Sequence, residues 1–126
     1  MNQKILVVED DPISARMMRD FLAANGYHTT VATTGTDGVA SFFREEPDLM
    51  IVDVALPKKN GFEVCFEVKR TDRGRGMPLL LMSAVYRDED HAIRYASADL
   101  RAQGYLLKPF DLRDLLVRVR ELLPAA

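Results

Sequence analysis

Glu9, Asp10 and Asp11 follow one short apolar run, Asp53 ends a second, Ser83 ends a third and Lys108 ends a fourth. Taken singly, each has an ordinary explanation: a solvated strand end or helix cap, a loop hydroxyl, a surface cation. Brought to one place they have a chemistry in common. Crowded carboxylates repel one another, so a site built from Glu9, Asp10 and Asp53 calls for a cation. All-oxygen ligands, incomplete protein coordination and a neighbouring phosphate are the conditions that suit Mg²⁺. The charge of the three acids is balanced by one Mg²⁺ and the Lys108 ammonium together. An incoming phosphoryl group would therefore meet both a metal and a lysine to neutralise it.

Convergence depends on the elements that carry these residues. Ile5-Leu6-Val7-Val8, Leu49-Met50-Ile51-Val52 and Leu79-Leu80-Leu81-Met82 are continuous apolar runs, the pattern of strands buried on both faces. Tyr27 to Ala32, rich in β-branched residues, and Tyr105-Leu106-Leu107 read as two further strands. Between them lie helical stripes. Ile13, Met17, Met18, Phe21 and Leu22 follow Pro12 and stop at Asn25-Gly26. Val39, Phe42 and Phe43 are expected to face inward on a second helix that Thr33 or Thr34 caps and Pro47 ends. Phe62, Val64, Cys65 and Val68 mark a third helix, Arg87 to Leu100 a charged fourth, and Leu112, Leu115, Leu116, Val119, Leu122 and Leu123 a last one. Leu56 to Gly61 and the polar, Gly-rich Thr71 to Gly76 are expected to be loops. Five β-α repeats predict a parallel sheet with helices on both faces. Ligands of such sheets bind beyond the carboxyl ends of the strands, where the acids, the hydroxyl and the lysine all fall.

Composition sets the outer limits. The chain has 126 residues, 48% of them hydrophobic, which suits one domain over residues 1–126 with a sizeable core. A net charge of -2, with no Lys/Arg run, argues against nucleic acid or an anionic membrane as a direct partner. The one cysteine cannot form an internal disulfide, and no stretch reads as a targeting or membrane segment, so a reducing cytoplasm is expected.

Ile5 to Asp11 (ILVVEDD), Asp53 to Gly61 (DVALPKKNG), Ser83-Ala84 and Lys108-Pro109-Phe110 together resemble the signature positions of receiver domains of two-component response regulators. The resemblance covers essentially the whole chain. It implies a flavodoxin-like (βα)5 three-layer sandwich with a parallel five-stranded sheet in the order 2-1-3-4-5. It also implies that Asp53 accepts a phosphoryl group, Mg²⁺-dependently, from a histidine kinase, a phosphotransfer protein or a small phosphodonor. Asp10 would bind the metal directly, Glu9 through a water, and the Ala55 backbone carbonyl would complete the set. Asp11, where the family is variable, leaves a share of the metal role open. Ser83 and Lys108 would pair with phosphoryl oxygens, and the Lys108-Pro109 bond would be cis. Ser83 and Tyr105 would form the switch, altering the surface of the fourth predicted helix, the fifth strand and the last helix. A downstream effector domain or protein would read that surface. Such a domain is a signalling switch without external turnover, a monomer or a phosphorylation-dependent dimer.

The sequence also departs from the family pattern. Between Ser83 and Lys108 it is a few residues longer than usual, and Arg101-Ala102-Gln103-Gly104 replaces the customary run before the aromatic. Receivers that dimerise through this face place an Asp just before the aromatic, paired with a basic residue of the last helix. Here Arg118 is present but Gly104 holds the Asp position. Ala55 and Val85, flanking the site, offer no acid or amide to hold a hydrolytic water, so slow autodephosphorylation is expected.

His28 and His91 have no ligand pattern around them, Cys65 reads as a small buried hydrophobe, and the Met17-Met18 pair reads as core. The charged Arg87, Asp88, Glu89, Asp90 and Arg94 read as a solvated face. An Asp-nucleophile phosphatase would carry a second Asp two residues after the first, where Ala55 stands. The remaining competitor is a receiver-like adaptor that binds partners constitutively without phosphorylation.

Overall fold

The computed structural model describes residues 2–84 and 102–124. The predicted helix Arg87 to Leu100, with His91 and Val85, lies outside them. Strands β1 (Lys4–Val8), β2 (His28–Ala32), β3 (Leu49–Asp53), β4 (Leu79–Ala84) and β5 (Gly104–Lys108) are accompanied by helices α1 (Pro12–Ala24), α2 (Gly35–Glu45), α3 (Gly61–Lys69), α4 (Asp72–Gly76) and α5 (Leu112–Leu122), with α3 and α4 both between β3 and β4. All strand pairs are parallel, in the order β2-β1-β3-β4-β5, so the doubly wound sheet expected from the sequence is present.

The apolar runs explain the three layers. Successive strand side chains point to opposite faces, and the buried residues divide accordingly. Leu6, Val8, Met50, Val52, Leu79 and Leu81 pack with Phe42 of α2 and with Val64, Cys65 and Val68 of α3. Ile5, Val7, Leu49, Ile51, Leu80 and Met82 pack on the other face with Met18 and Leu22 of α1 and with Leu115 and Val119 of α5. A strand sandwiched between helices can afford no polar position along its length, which is why these runs are continuous rather than alternating.

Three expectations are corrected. Phe43 is 61% exposed, with its ring edge-on to buried Phe42, because the arc of α2 that meets the sheet is narrower than its apolar content. Met17 is 54% exposed beside buried Met18, so only one of the pair is core; Ile13 is exposed on the same side. Thr71 to Gly76 is not all loop. Thr71 caps the short α4 through its hydroxyl, and the buried Lys69 ammonium donates to the carbonyls of Gly74 and Met77.

Lys69 does more than close that turn. Its Nζ also donates to Gln103 Oε1 at 3.0 Å, and the same oxygen accepts from Leu79 N at 2.7 Å. Gln103 N in turn donates to Leu79 O at 3.0 Å. The start of β5 is thereby pegged to the start of β4. Burial lowers the pKa of Lys69, the sign expected of a cation withdrawn from water. Burial pushes the Cys65 thiol up to about 12, so it is a packing group rather than a nucleophile.

Candidate functional site

The site forms where β1, β3, β4 and β5 run out. Glu9 N donates to Ala32 O at 3.0 Å, carrying the β1-β2 pairing one residue past the strand, and Glu9 is 1% exposed. Asp53 is the last residue of β3, opposite Met82 in the register, and is buried. From β5, Lys108 Nζ donates to Glu9 Oε1 at 2.8 Å and to Asp53 Oδ2 at 2.7 Å. The other Asp53 oxygen, Oδ1, accepts from the Ala55 backbone N–H at 3.1 Å. Asp10 is exposed at the rim, and one carboxylate oxygen each from Glu9, Asp10 and Asp53 lie within 4.8 Å of one another.

Among these acids, Glu9 bears the mark of the crowding. Glu9 is pushed up to about 7, first by burial and also by the Asp53 charge, against the opposing pull of Lys108. Lys108 moves upward: burial works against its charge, but the hydrogen bonds to Asp53 and Glu9 outweigh it. Two buried acids share one ammonium, so the site is short of positive charge. An all-oxygen donor set, with Asp10 open to solvent, fits a hard divalent cation that keeps several waters. Ser83 supplies a second sign of an incoming group. It is fully buried, and its Oγ has no hydrogen-bond partner among the described residues. Buried hydroxyls are almost always paired, so an orphan at a site edge is poised for something else.

The expected site residues thus meet: Glu9, Asp10, Asp53 and Lys108 by direct geometry, and Ser83 by its place at the end of the adjoining strand. The Lys108-Pro109 peptide is cis. Tyr105 lies on β5 opposite Leu81; its side chain, and with it the switch expected of Ser83 and Tyr105, lies outside the described part of the structure. Asp11 stands apart from the metal-type cluster. Its carboxylate caps α1, accepting from Ser14 N at 3.1 Å and Ser14 Oγ at 2.6 Å, and those bonds hold its pKa below the usual carboxylate range. The signal was local, an Asp directly before a Pro at the first helical position. The Ala55 N–H was not anticipated as a partner of Asp53. At the Gly104 position, the Arg118 guanidinium lies so close that a Cβ there would come within 2.9 Å of it.

A parallel sheet of order 2-1-3-4-5, with acids, a hydroxyl and a lysine at the carboxyl ends of its strands, defines a flavodoxin-like α/β domain with a charged rim. Residues 5–120 match the response regulator receiver domain model, and the chain belongs to that family. It is 36% identical over 120 residues to the DNA-binding dual master transcriptional regulator RpaA of Synechocystis sp., covering 95% of this chain and 48% of that protein. To the response regulator MprA of Mycobacterium leprae it is 38% identical, covering 95% of this chain and 50% of the relative. The chain therefore spans about half the length of the curated relatives it matches. Among solved structures, the chemotaxis response regulator CheY4 of Vibrio cholerae superposes with a TM-score of 0.89 at 27% identity, covering 98% of this chain and all of that one (100%). The receiver domain of sensor histidine kinase PA1611 from Pseudomonas aeruginosa has a TM-score of 0.87 at 25% identity, over 99% and 100% of the two chains. That structure holds a magnesium ion in its active site cleft. Both curated relatives bear the names of regulators.

Proposed function

We propose that residues 1–126 form a single receiver domain that takes a phosphoryl group on Asp53 and signals by the change in surface that follows. The observation that carries this is the pairing of Asp53 with Lys108 beside an orphaned hydroxyl and a three-acid cluster. In the transfer, an Asp53 carboxylate oxygen attacks phosphorus. The P–N bond of a phosphohistidine, or the P–O bond of acetyl phosphate, breaks and its electron pair leaves with the imidazole or acetate. Glu9, Asp10, Asp53 and the Ala55 carbonyl would hold Mg²⁺, which when bound supplies charge neutralisation between the carboxylates and the phosphoryl oxygens.

The chain's own residues do the rest. Lys108 leaves Asp53 for a phosphoryl oxygen, keeping its charge matched, and Ser83 Oγ gains in that product the partner it lacks. Movement of Ser83 opens room toward Tyr105, and the population of a second surface arrangement rises. Ala55 has only a methyl group to offer a hydrolytic water, so the phosphorylated state is long-lived.

The donor is a histidine kinase or phosphotransfer protein. Its approach is supported by an open apolar groove of about 530 Å³ lined by Met17, Met18, Pro109, Phe110 and Leu112, which meets the site at Glu9 and Lys108. The reader is a downstream effector domain or protein in the cytoplasm, and the domain is a monomer or a phosphorylation-dependent dimer. No described helix is long and apolar enough to cross a membrane.

The test is acetyl phosphate with Mg²⁺, followed by intact-protein mass. The expected result is one phosphoryl group on the wild type and none on Asp53→Asn or after chelation. Wild-type protein that stays unmodified by acetyl phosphate and by cognate kinase favours the constitutive adaptor instead.

A further inference from the structure

The loop that follows Asp53 does not stand alone. Gly35, the first residue of α2, donates its N–H to Pro57 O at 3.2 Å. A Cβ built on Gly35 would lie 1.7 Å from Lys59 O and 2.6 Å from Lys59 C, a contact with backbone that no rotamer change relieves. The loop has little room to retreat. Lys58 already sits at φ 73°, Lys59 N donates to Pro57 O at 2.8 Å, and Gly61 N donates to Val54 O at 2.9 Å. Gly61 is itself pressed against β3, with a virtual Cβ 2.2 Å from Asp53 O. At its far end Asn60 is committed to the capping box of α3. Between these anchors stands Ala55, whose N–H orients Asp53 Oδ1.

We propose that Gly35 is a positioning residue for the site: its bare Cα makes the start of α2 a backstop for Pro57–Lys59, and through that loop it fixes the Ala55 peptide against Asp53. The inference rests on Asp53 being the phosphoacceptor. Any side chain at position 35 pushes the loop as a body, and the Ala55 N–H, and the carbonyl of the same residue, leave the geometry that the site requires. Displacements of this size cost rate steeply because the reacting oxygen must be held in line.

Gly35→Ala is compared with Gly26→Ala. Gly26 stands at φ 97° after α1 with open space around it, so alanine there strains the fold without touching the site. Both variants are expected to melt at lower temperature. Only Gly35→Ala should weaken Mg²⁺ binding by calorimetry and lower the acetyl phosphate rate, roughly 10- to 100-fold. It should also speed hydrogen exchange of the amides from Ala55 to Lys59. That exchange is read without phosphate or metal, so it tests the backstop even if Asp53 proves not to be the acceptor, and an unmodified wild type would count against the acceptor assignment alone. The assignment is overturned if Gly35→Ala keeps wild-type exchange, affinity and rate, or if both variants lose them equally. It is overturned too if Gly35→Ala stays unfolded in trimethylamine N-oxide while Gly26→Ala folds.

Discussion

Lys108 Nζ lies 2.7 Å from Asp53 Oδ2 and 2.8 Å from Glu9 Oε1, one ammonium serving two buried acids. Removing it leaves two carboxylates without a counterion, which is costlier than the pair itself is favourable. Lys108→Met is expected to lose about 2 kcal/mol in urea unfolding at pH 8, discounted for the partial exposure of the lysine. The loss should shrink at pH 5.5, where Glu9 takes up a proton.

Glu9 gives the molecule a pH dependence of its own. Its folded pKa of about 7 stands above the ordinary 4.5, so between those values the folded state binds more protons than the unfolded one. Stability from this group is therefore full below pH 4.5 and is lost as pH rises through 7. Relative to Glu9→Gln, the wild type should weaken across that window with a slope of at most about 1.4 kcal/mol per pH unit, the limit for one proton. Urea titrations of both proteins without Mg²⁺ check it. Apparent Mg²⁺ affinity should rise over the same window and level off above it.

Ser83 should show opposite signs in stability and in function. Ser83→Ala removes a buried hydroxyl that has no partner among the described residues and is expected to raise stability by up to about 1 kcal/mol. The same variant should take phosphate from acetyl phosphate more slowly than wild type. A hydroxyl with a purely structural partner would give the reverse sign in the urea midpoint.

Lys69 separates fold from chemistry. Its ammonium satisfies the Gly74 and Met77 carbonyls and Gln103 Oε1. Lys69→Met leaves buried acceptors short of a donor and should cost about 2 kcal/mol. Below the shifted melting temperature, phosphorylation of Asp53 should proceed at the wild-type rate.

A fifth expectation concerns lifetime. Ala55→Asn places an amide beside Asp53, able to hold a water for attack on phosphorus, and should shorten the phosphoryl half-life by roughly a factor of 10, less than the ~100-fold or more of a true general base because an amide orients the water without taking its proton. Decay after removal of acetyl phosphate, followed by intact mass, measures it. A wild-type half-life of seconds would contradict the slow hydrolysis assigned to Ala55.

The strand ends were legible because burial on both faces leaves an unbroken apolar run, and such a run tells where it stops. Glu9, Asp53, Ser83 and Lys108 could be placed by that alone, although they are far apart in sequence. Helix faces were less legible. Spacing shows that Met17, Met18, Phe42 and Phe43 belong to apolar arcs, but not which edge of the arc the sheet covers, and Met17 and Phe43 lie outside it. α4 escaped notice because two of its five residues are glycines, and its cap and carbonyl partners come from Thr71 and Lys69. Nothing in the local sequence marks Gly35, since its meaning lies in a loop it touches across the fold.

The peg formed by Gln103 and Leu79 separates length from alignment. Because β5 starts from a fixed contact with the start of β4, the number of residues between the two strands can differ among related chains without moving the ammonium of Lys108 relative to Asp53.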